Sequence, residues 1–456
     1  MHSSIFTGLR AEFPFDRANF PGRGDLAPNR VGHRGSGFAR MGRTILRGCY
    51  DIHVKKIDPA FRTTTEMPAP HQSSPMPVPM LDLKRQYQPL HQELLEAVGH
   101  VLETQQFILG EPVAAFENAA ARQLGVAHAM GCSSGTDALW LALAAAGVGT
   151  GQAVLTTPFS FFASVSSILR AGAVPVLADI DPATFNLDPS ATEAVLDSPA
   201  GAAVRALLPV HLYGQTADFT AMTRIAKTFG LKTVEDAAQA WGAEWKGVKA
   251  GGLGDAAAFS FYPTKNLSAA GDAGMVSTNS EEIAERARML RQHGMRRRYY
   301  HDEVGWNTRM DGFQGAILNI KLKYIAGWND ARRAVAERYH SLFAAAGLAE
   351  GGLYPAHGIV LPHEVKGSRH VWHQYVIRTQ RRDELRAFLS ARKIGSEVYY
   401  PVPLHLQEAL KFLGYTEGAF PEAERAAREV LALPIFPELR EDEQQTVVRA
   451  IAEFLS

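Results

Sequence analysis

In FSFYPTKNL a single lysine, Lys265, sits in a turn after the apolar run Ala257–Tyr262, flanked by Pro263, Thr264 and Asn266. An amine held in a dry, partly apolar place loses proton affinity, and its neutral form can attack an aldehyde to give a Schiff base. Taken alone, such a lysine is most often a surface residue. Earlier in the chain the strand-like KTVED runs into AAQAWGA and leaves Asp236 at the strand's carboxyl end. A carboxylate there can pair with a cationic ring nitrogen, and a plain helix N-cap before AAQA accounts for it as well. Gln239, three residues on, could reach an oxygen on the same ring.

Two further segments bear on the same chemistry. GCSSGTDALWLAL places small and hydroxyl residues before a helical apolar run, so the open N–H groups of a helix start would face an anion. Gly135, Thr136 and Asp137 would supply close backbone approach and side-chain hydrogen bonds, with Ser260 a further hydroxyl; an ordinary Ser/Asp cap is the plainer account. The segment has no GxxxxGK[ST], which excludes a nucleotide P-loop. PFSFFAS offers Phe161 to stack on a flat heteroaromatic ring, although rings in such surroundings are usually core. Pyridoxal phosphate is the cofactor that needs an acid at its pyridine nitrogen, because the protonated ring then acts as an electron sink.

The elements that must position these residues follow α/β grammar. AVLT (153–156), VPVLAD (174–179), RALLPVH (205–211), KTVEDA (232–237) and AAFSFY (257–262) read as strands, and the helical stretch Phe219–Phe229 is long enough for a crossover. A mostly parallel sheet with helices on both faces follows, with the active site beyond the carboxyl ends of the strands. Leu90, Leu94, Val98 and Val101 lie at helical spacing. A long helical region is expected from about Gln314 to Phe343, then a smaller α+β domain containing HVWHQYVIRT, RRDELRAFLSARK and a final helix through Phe454. The expected division is a disordered, basic and proline-rich extension over 1–78, a large domain over 79–325 and a small C-terminal domain over 326–456.

Composition narrows the partners. The 456 residues carry 47 Lys+Arg and 47 Asp+Glu, and this balance gives no overall attraction to nucleic acid or to anionic membrane. Two cysteines, Cys49 and Cys132, are too few for a disulfide framework or a four-thiolate metal site, so no metal and a cytoplasmic location are expected. The apolar stretch from Ala138 to Val148 is too short to span a bilayer.

The motifs LDLKRQY, FILGEPVAAFE, SSGTDAL, PFSFFAS, HLYGQTAD, EDAAQAWGA, FSFYPTKNL, RYYHDEVGWNTRMDGFQGAILNIKL, WHQYVIR, YYPVPLH and LALPIFPEL stand in this order. Over residues 81–456 the chain resembles the DegT/DnrJ/EryC1/StrS family of pyridoxal-phosphate-dependent sugar aminotransferases. The resemblance implies the aspartate-aminotransferase fold (fold type I), with Lys265 as Schiff-base lysine, Asp236 at the pyridine nitrogen, Gln239 at the ring oxygen and Phe161 stacking. It gives Thr136, Asp137 and Ser260 to cofactor anchoring, beside the Gly135 that the helix start already offers. Asn307, in the GxNxRMD segment, would cross to the cofactor phosphate of a second copy, so a homodimer with sites completed in trans is expected.

The implied substrates are L-glutamate and a nucleotide-linked deoxysugar with a keto group at C3 or C4, faced by Tyr262, Tyr399 and Tyr400. The chain departs from the family pattern with Tyr399 where histidine is common and Ala273 where glycine is common. Arg296, Arg297 and Arg298 read as a solvated charged loop. A sugar-dehydrating relative that uses pyridoxamine phosphate would carry histidine in place of Lys265. A non-catalytic regulatory descendant is the alternative from another class.

Overall fold

The computed structural model describes residues 77–348 and 358–456. The expected disordered extension lies outside the described residues as far as residue 76. Its last position, Val78, is buried: its N–H donates to the Lys393 carbonyl at 3.0 Å and its own carbonyl accepts from the N–H of Gly395 at 2.8 Å.

Seven strands make the central sheet: β1 His128–Cys132, β2 Ala153–Thr156, β3 Val174–Leu177, β4 Val204–Leu208, β5 Lys232–Asp236, β6 Ala256–Ser260 and β7 Gly274–Thr278, in the order β1-β7-β6-β5-β4-β2-β3. Pairing from β6 through β5, β4 and β2 to β3 is parallel, and β7 runs antiparallel to both β1 and β6. The five apolar runs read from sequence as strands are β2 to β6. HAMGC and GMVST, which form β1 and β7, escape that reading because their small and polar residues leave no apolar run.

Side chains of β6 alternate between two packed layers, as a pleated strand buried on both faces requires. Ala257 and Phe259 join Phe116, Trp241 and Leu318, whereas Ala256 and Ala258 join Leu139, Leu141 and Ala284. The helix Gly135–Ala145 is buried from Ala138 through Leu143, and an apolar surface all round suits a helix enclosed by the sheet and its neighbours. The long helical region expected to start near Gln314 is two helices, Gly312–Lys321 and Ile325–Ala345. Between them Lys323 and Tyr324 donate to carbonyls three residues back, which tightens the chain and re-aims it.

The C-terminal elements gather around β8 Tyr375–Arg378 and β9 Val430–Leu433, an antiparallel pair, with the helices Arg382–Ala391, Pro421–Glu429 and Glu441–Leu455. Tyr339, Phe343, Leu431 and Phe436 fill their core, and Val78 belongs to it. Arg85 makes a bidentate pair with Glu443, at 2.8 and 2.7 Å, and donates to the Glu438 carbonyl at 3.2 Å. The first described residues are thus fastened to the last helix, a contact that a boundary drawn at 325/326 does not anticipate. Among the described residues no helix is long and apolar enough to cross a membrane, and no His, Cys, Asp and Glu cluster could hold a metal ion.

Candidate active site

Because β7 runs against both its neighbours, β1 and β6 point the same way as the strands beyond them. The ends of β1, β5 and β6, at Cys132, Asp236 and Ser260, therefore share one edge of the sheet, where open α/β sheets place their ligands.

Asp236 is 4% exposed. Its Oδ2 accepts from Ser164 Oγ at 2.7 Å and its Oδ1 from the N–H of Ala238 at 3.2 Å. Burial raises its pKa above the ordinary carboxylate value, and these two bonds together with the charges of Lys265 and His211 oppose the rise. The carboxylate makes no ion pair with a basic side chain among the described residues. A buried acid in that state suits a cationic ring N–H.

Lys265 lies five residues beyond β6, its backbone N–H closing a turn onto the Tyr262 carbonyl at 2.8 Å. The side chain is partly exposed, yet protein packs densely around it, and desolvation lowers the amine to about 8 against the opposing charge of Asp236. The neighbour Asn266 is buried and holds the turn from inside through Asn329, Val371 and His373. The sequence gives no local sign of Ser164, Asn266 or His373 as site residues: their roles come from partners far along the chain.

At the start of the helix Gly135–Ala145, Ser134 accepts from the N–H of Asp137 at 3.1 Å, and the first-turn N–H groups of Gly135 and Thr136 face outward without an intrahelical partner. A Cβ on Gly135 would lie 2.5 Å from Ser260 Cβ, and one on Gly274 would lie 2.2 Å from the Ser134 carbonyl. Two glycines therefore bring the helix start against the ends of β6 and β7, with the Ser260 hydroxyl beside it. The Asp137 carboxylate is taken up by Ser133, Ser134 and Arg170, so its charge is balanced within the chain and it braces the cup. The guanidinium of Arg170 lies over the rings of Trp140 and Trp306, 4.5 and 5.2 Å from their centroids.

Gln239 is held at both ends: its Oε1 accepts from the N–H of Tyr213 at 2.6 Å, and its Nε2 donates to the Tyr400 hydroxyl at 3.2 Å. Tyr213, at a φ of 58°, donates its own hydroxyl to the Tyr399 carbonyl. Tyr400 packs near Phe159 and Phe161, and burial followed by the charge of Asp236 raises its phenol. Phe159 is wholly buried and Phe162 is partly buried against the same core, but Phe161 is 59% exposed, so the rings of PFSFF divide between core and cleft.

The structure thus brings together Asp236, Gln239, Tyr400 and Lys265, and sets Gly135 and Thr136 beside Ser260. Tyr262 is exposed next to them. Asn307 is exposed, with its side-chain carbonyl accepting from Arg309 Nε at 2.9 Å, on a stretch where Thr308 and Arg309 run alongside Cys132 and Ser133.

The model of the DegT/DnrJ/EryC1/StrS aminotransferase family matches residues 88–452. The chain is 50% identical over 379 residues to a pleiotropic regulatory protein of Geobacillus stearothermophilus, covering 83% of this chain and 99% of that one. It is 42% identical over 377 residues to a dTDP-3-amino-3,4,6-trideoxy-alpha-D-glucose transaminase of Streptomyces venezuelae, covering 83% and 96%. The crystal structure of S. venezuelae DesV in complex with a ketimine intermediate superposes with a TM-score of 0.78 at 42% identity, over 83% of this chain and 99% of that one. Sheet order, strand-end chemistry and these likenesses agree over nearly all the described residues, and the chain belongs to the DegT/DnrJ/EryC1/StrS aminotransferase family.

Proposed function

We propose that the protein is a pyridoxal-phosphate-dependent aminotransferase that moves the amino group of L-glutamate to a keto group, at C3 or C4, of a nucleotide-linked deoxysugar. The observation that carries the reading is the pairing of a buried carboxylate without an ion-pair partner, Asp236, with a lysine amine lowered to about 8, on the ends of two adjacent parallel strands. The dTDP-linked 3-amino sugar in the name of the S. venezuelae relative supports C3 and a dTDP-linked substrate.

The side chains present fit the cofactor. Asp236 would hold the ring nitrogen, Gln239 the ring oxygen and Phe161 a ring face. Gly135 and Thr136 N–H groups with Ser260 would take the phosphate, and Asp137 would keep the cup in shape. Bound there, pyridoxal phosphate would supply the electron-withdrawing ring that carries the amino group between the two half-reactions. Lys265 Nζ, its proton affinity lowered by burial to about 8, would take the proton from the α-carbon of glutamate and return one at the sugar carbon. Asp236, held by Ser164 and the Ala238 N–H, would accept from a protonated ring nitrogen and so favour the charged ring. Tyr262, Tyr399 and Tyr400 line the approach for the sugar nucleotide. The exposure of Asn307 suits a reach into a second copy, which makes the working unit a homodimer, in the cytoplasm.

The test is the absorbance of the protein loaded with pyridoxal phosphate, before and after excess L-glutamate, with Lys265→Ala alongside. Loss of the visible band and gain of a near-ultraviolet band in the wild type, and neither change in the variant, is expected. A wild-type spectrum indifferent to glutamate removes that donor from the proposal.

A regulatory role is the second reading, favoured by the name of the Geobacillus relative. It predicts that the biological effect survives in Lys265→Ala.

A further inference from the structure

The turn that presents Lys265 is fixed by a network whose proton positions can be read off. Asn266 Nδ2 donates to the Val371 carbonyl and to Asn329 Oδ1, both at 2.9 Å. Asn329 in turn spends its own Nδ2 on the Trp241 carbonyl at 2.9 Å, so the orientation of both amides is settled. With both amide hydrogens of Asn266 committed, its Oδ1 can only accept. The atom 3.0 Å from it is His373 Nδ1, which must therefore carry the proton. In the neutral ring this leaves Nε2 as a lone pair.

The surroundings keep the ring neutral. His373 is 5% exposed; burial, then the charges of Lys265, Arg332 and His370, push it well below the ordinary histidine value. Arg332 is itself anchored, donating to the carbonyls of Trp372, His373 and Ile435 at 3.1 to 3.3 Å, and the charge of Asp236, at the end of the adjacent strand, acts on Lys265. The imidazole is thus gripped by its backbone on one side and by Asn266 on the other.

We propose that His373 is a positioning residue for Lys265: by donating from Nδ1 to Asn266 Oδ1 it locks the turn 262–266 and keeps the lysine amine in its desolvated place. This rests on the reading of Lys265 as the reacting amine. A neutral donor is what the position requires, so asparagine, whose amide nitrogen stands near where Nδ1 stood, serves in its place, and leucine does not.

Two measurements on the full chain test it. The first labels the cofactor-free protein with pyridoxal and borohydride across a pH series and quantifies Lys265 by peptide mass. The wild-type midpoint is expected near 8, with His373→Asn within about half a unit and His373→Leu higher by about one unit, a tenfold gain in proton affinity. Equal midpoints in all three proteins, or His373→Asn behaving like His373→Leu, overturn the proposal. Failure of the wild type to label at Lys265 overturns the underlying reading as well, and so separates the two failures. The second measurement needs no disruptive variant: ¹⁵N-histidine spectra, assigned by the signal lost in His373→Asn, should show His373 as the neutral Nδ1–H tautomer from pH 6 to 9. A protonated ring or the Nε2–H form overturns it.

Discussion

Ser164 donates its hydroxyl to Oδ2 of Asp236 at 2.7 Å, joining a helix of the cleft wall to the strand-end acid. Burial lifts the Asp236 carboxyl and this bond opposes the lift, so removing it moves the pKa higher. Ser164→Ala should neutralise Asp236 earlier as pH falls. We expect the acid limb of the rate profile to rise by about one unit and the affinity for pyridoxal phosphate at pH 7 to drop about tenfold. An unmoved limb with undiminished binding would count against Asp236 as the ring-nitrogen partner.

The cup is set by backbone proximity. Gly135→Ala puts a methyl 2.5 Å from Ser260 Cβ and 3.1 Å from Ser260 Cα, with no flexible side-chain end to give way. Urea unfolding should show a loss of about 1–3 kcal/mol. Adding Ser260→Gly should recover most of that stability without recovering cofactor affinity, since the second change removes a hydroxyl the anion would use.

Lys321 lies on the helix Gly312–Lys321 and donates to Ser268 Oγ at 3.0 Å, and desolvation pushes its amine down to about 8. Its folded value is below the unfolded one, so the unfolded chain binds more protons between about pH 8 and 10.5 and this group's contribution improves with pH over that window. Lys321→Met should stabilise the protein at pH 7 by about 1–2 kcal/mol, and the gain should shrink as pH climbs towards 10.5. Urea midpoints measured from pH 7 to 10 check both sign and window. A destabilised variant at every pH would show that the charged amine does something the fold needs.

For Glu443, 1% exposed, burial alone would raise the carboxyl, but the bonds from Arg85 and from the N–H of Arg440 bring it below its ordinary value. Its stabilising contribution is therefore present above the unfolded carboxyl value and lost as pH falls through the lower folded one. Arg85→Met leaves that buried charge short of a partner and should cost about 3 kcal/mol at pH 7, less once Glu443 is protonated. Denaturant titrations at pH 7 and pH 4 distinguish this from a pH-independent loss of packing.

Much of the site was legible because its residues sit where strands end. Apolar runs bounded by turns gave β2 to β6; Asp236 closes β5, and Lys265 stands in the turn that follows β6. What escaped depends on partners far along the chain. Asn266 meets residues from two other segments, around 329 and 371–373, and nothing in TKNL distinguishes a buried asparagine from an exposed one. Tyr400 reads as a substrate-facing ring, yet it is bonded to Gln239, 161 residues earlier. β1 and β7 were hidden by glycines and polar side chains that the antiparallel pairing tolerates. Phe159 and Phe161 have equal claims in the sequence, and only the packing sends one to the core and the other to the cleft.

The bond between Arg85 and Glu443 closes a span of 358 positions. Synthesis delivers Arg85 358 residues before Glu443, so the helix Leu83–Tyr87 that carries it emerges long before its dock exists. The seven-stranded sheet, complete by Thr278, can assemble while the chain is still tethered, whereas the C-terminal layer waits for the final helix to clear the exit tunnel. Losing the helix Glu441–Leu455 would therefore also strip Arg85 of its partner, so damage near residue 443 is felt at residue 85.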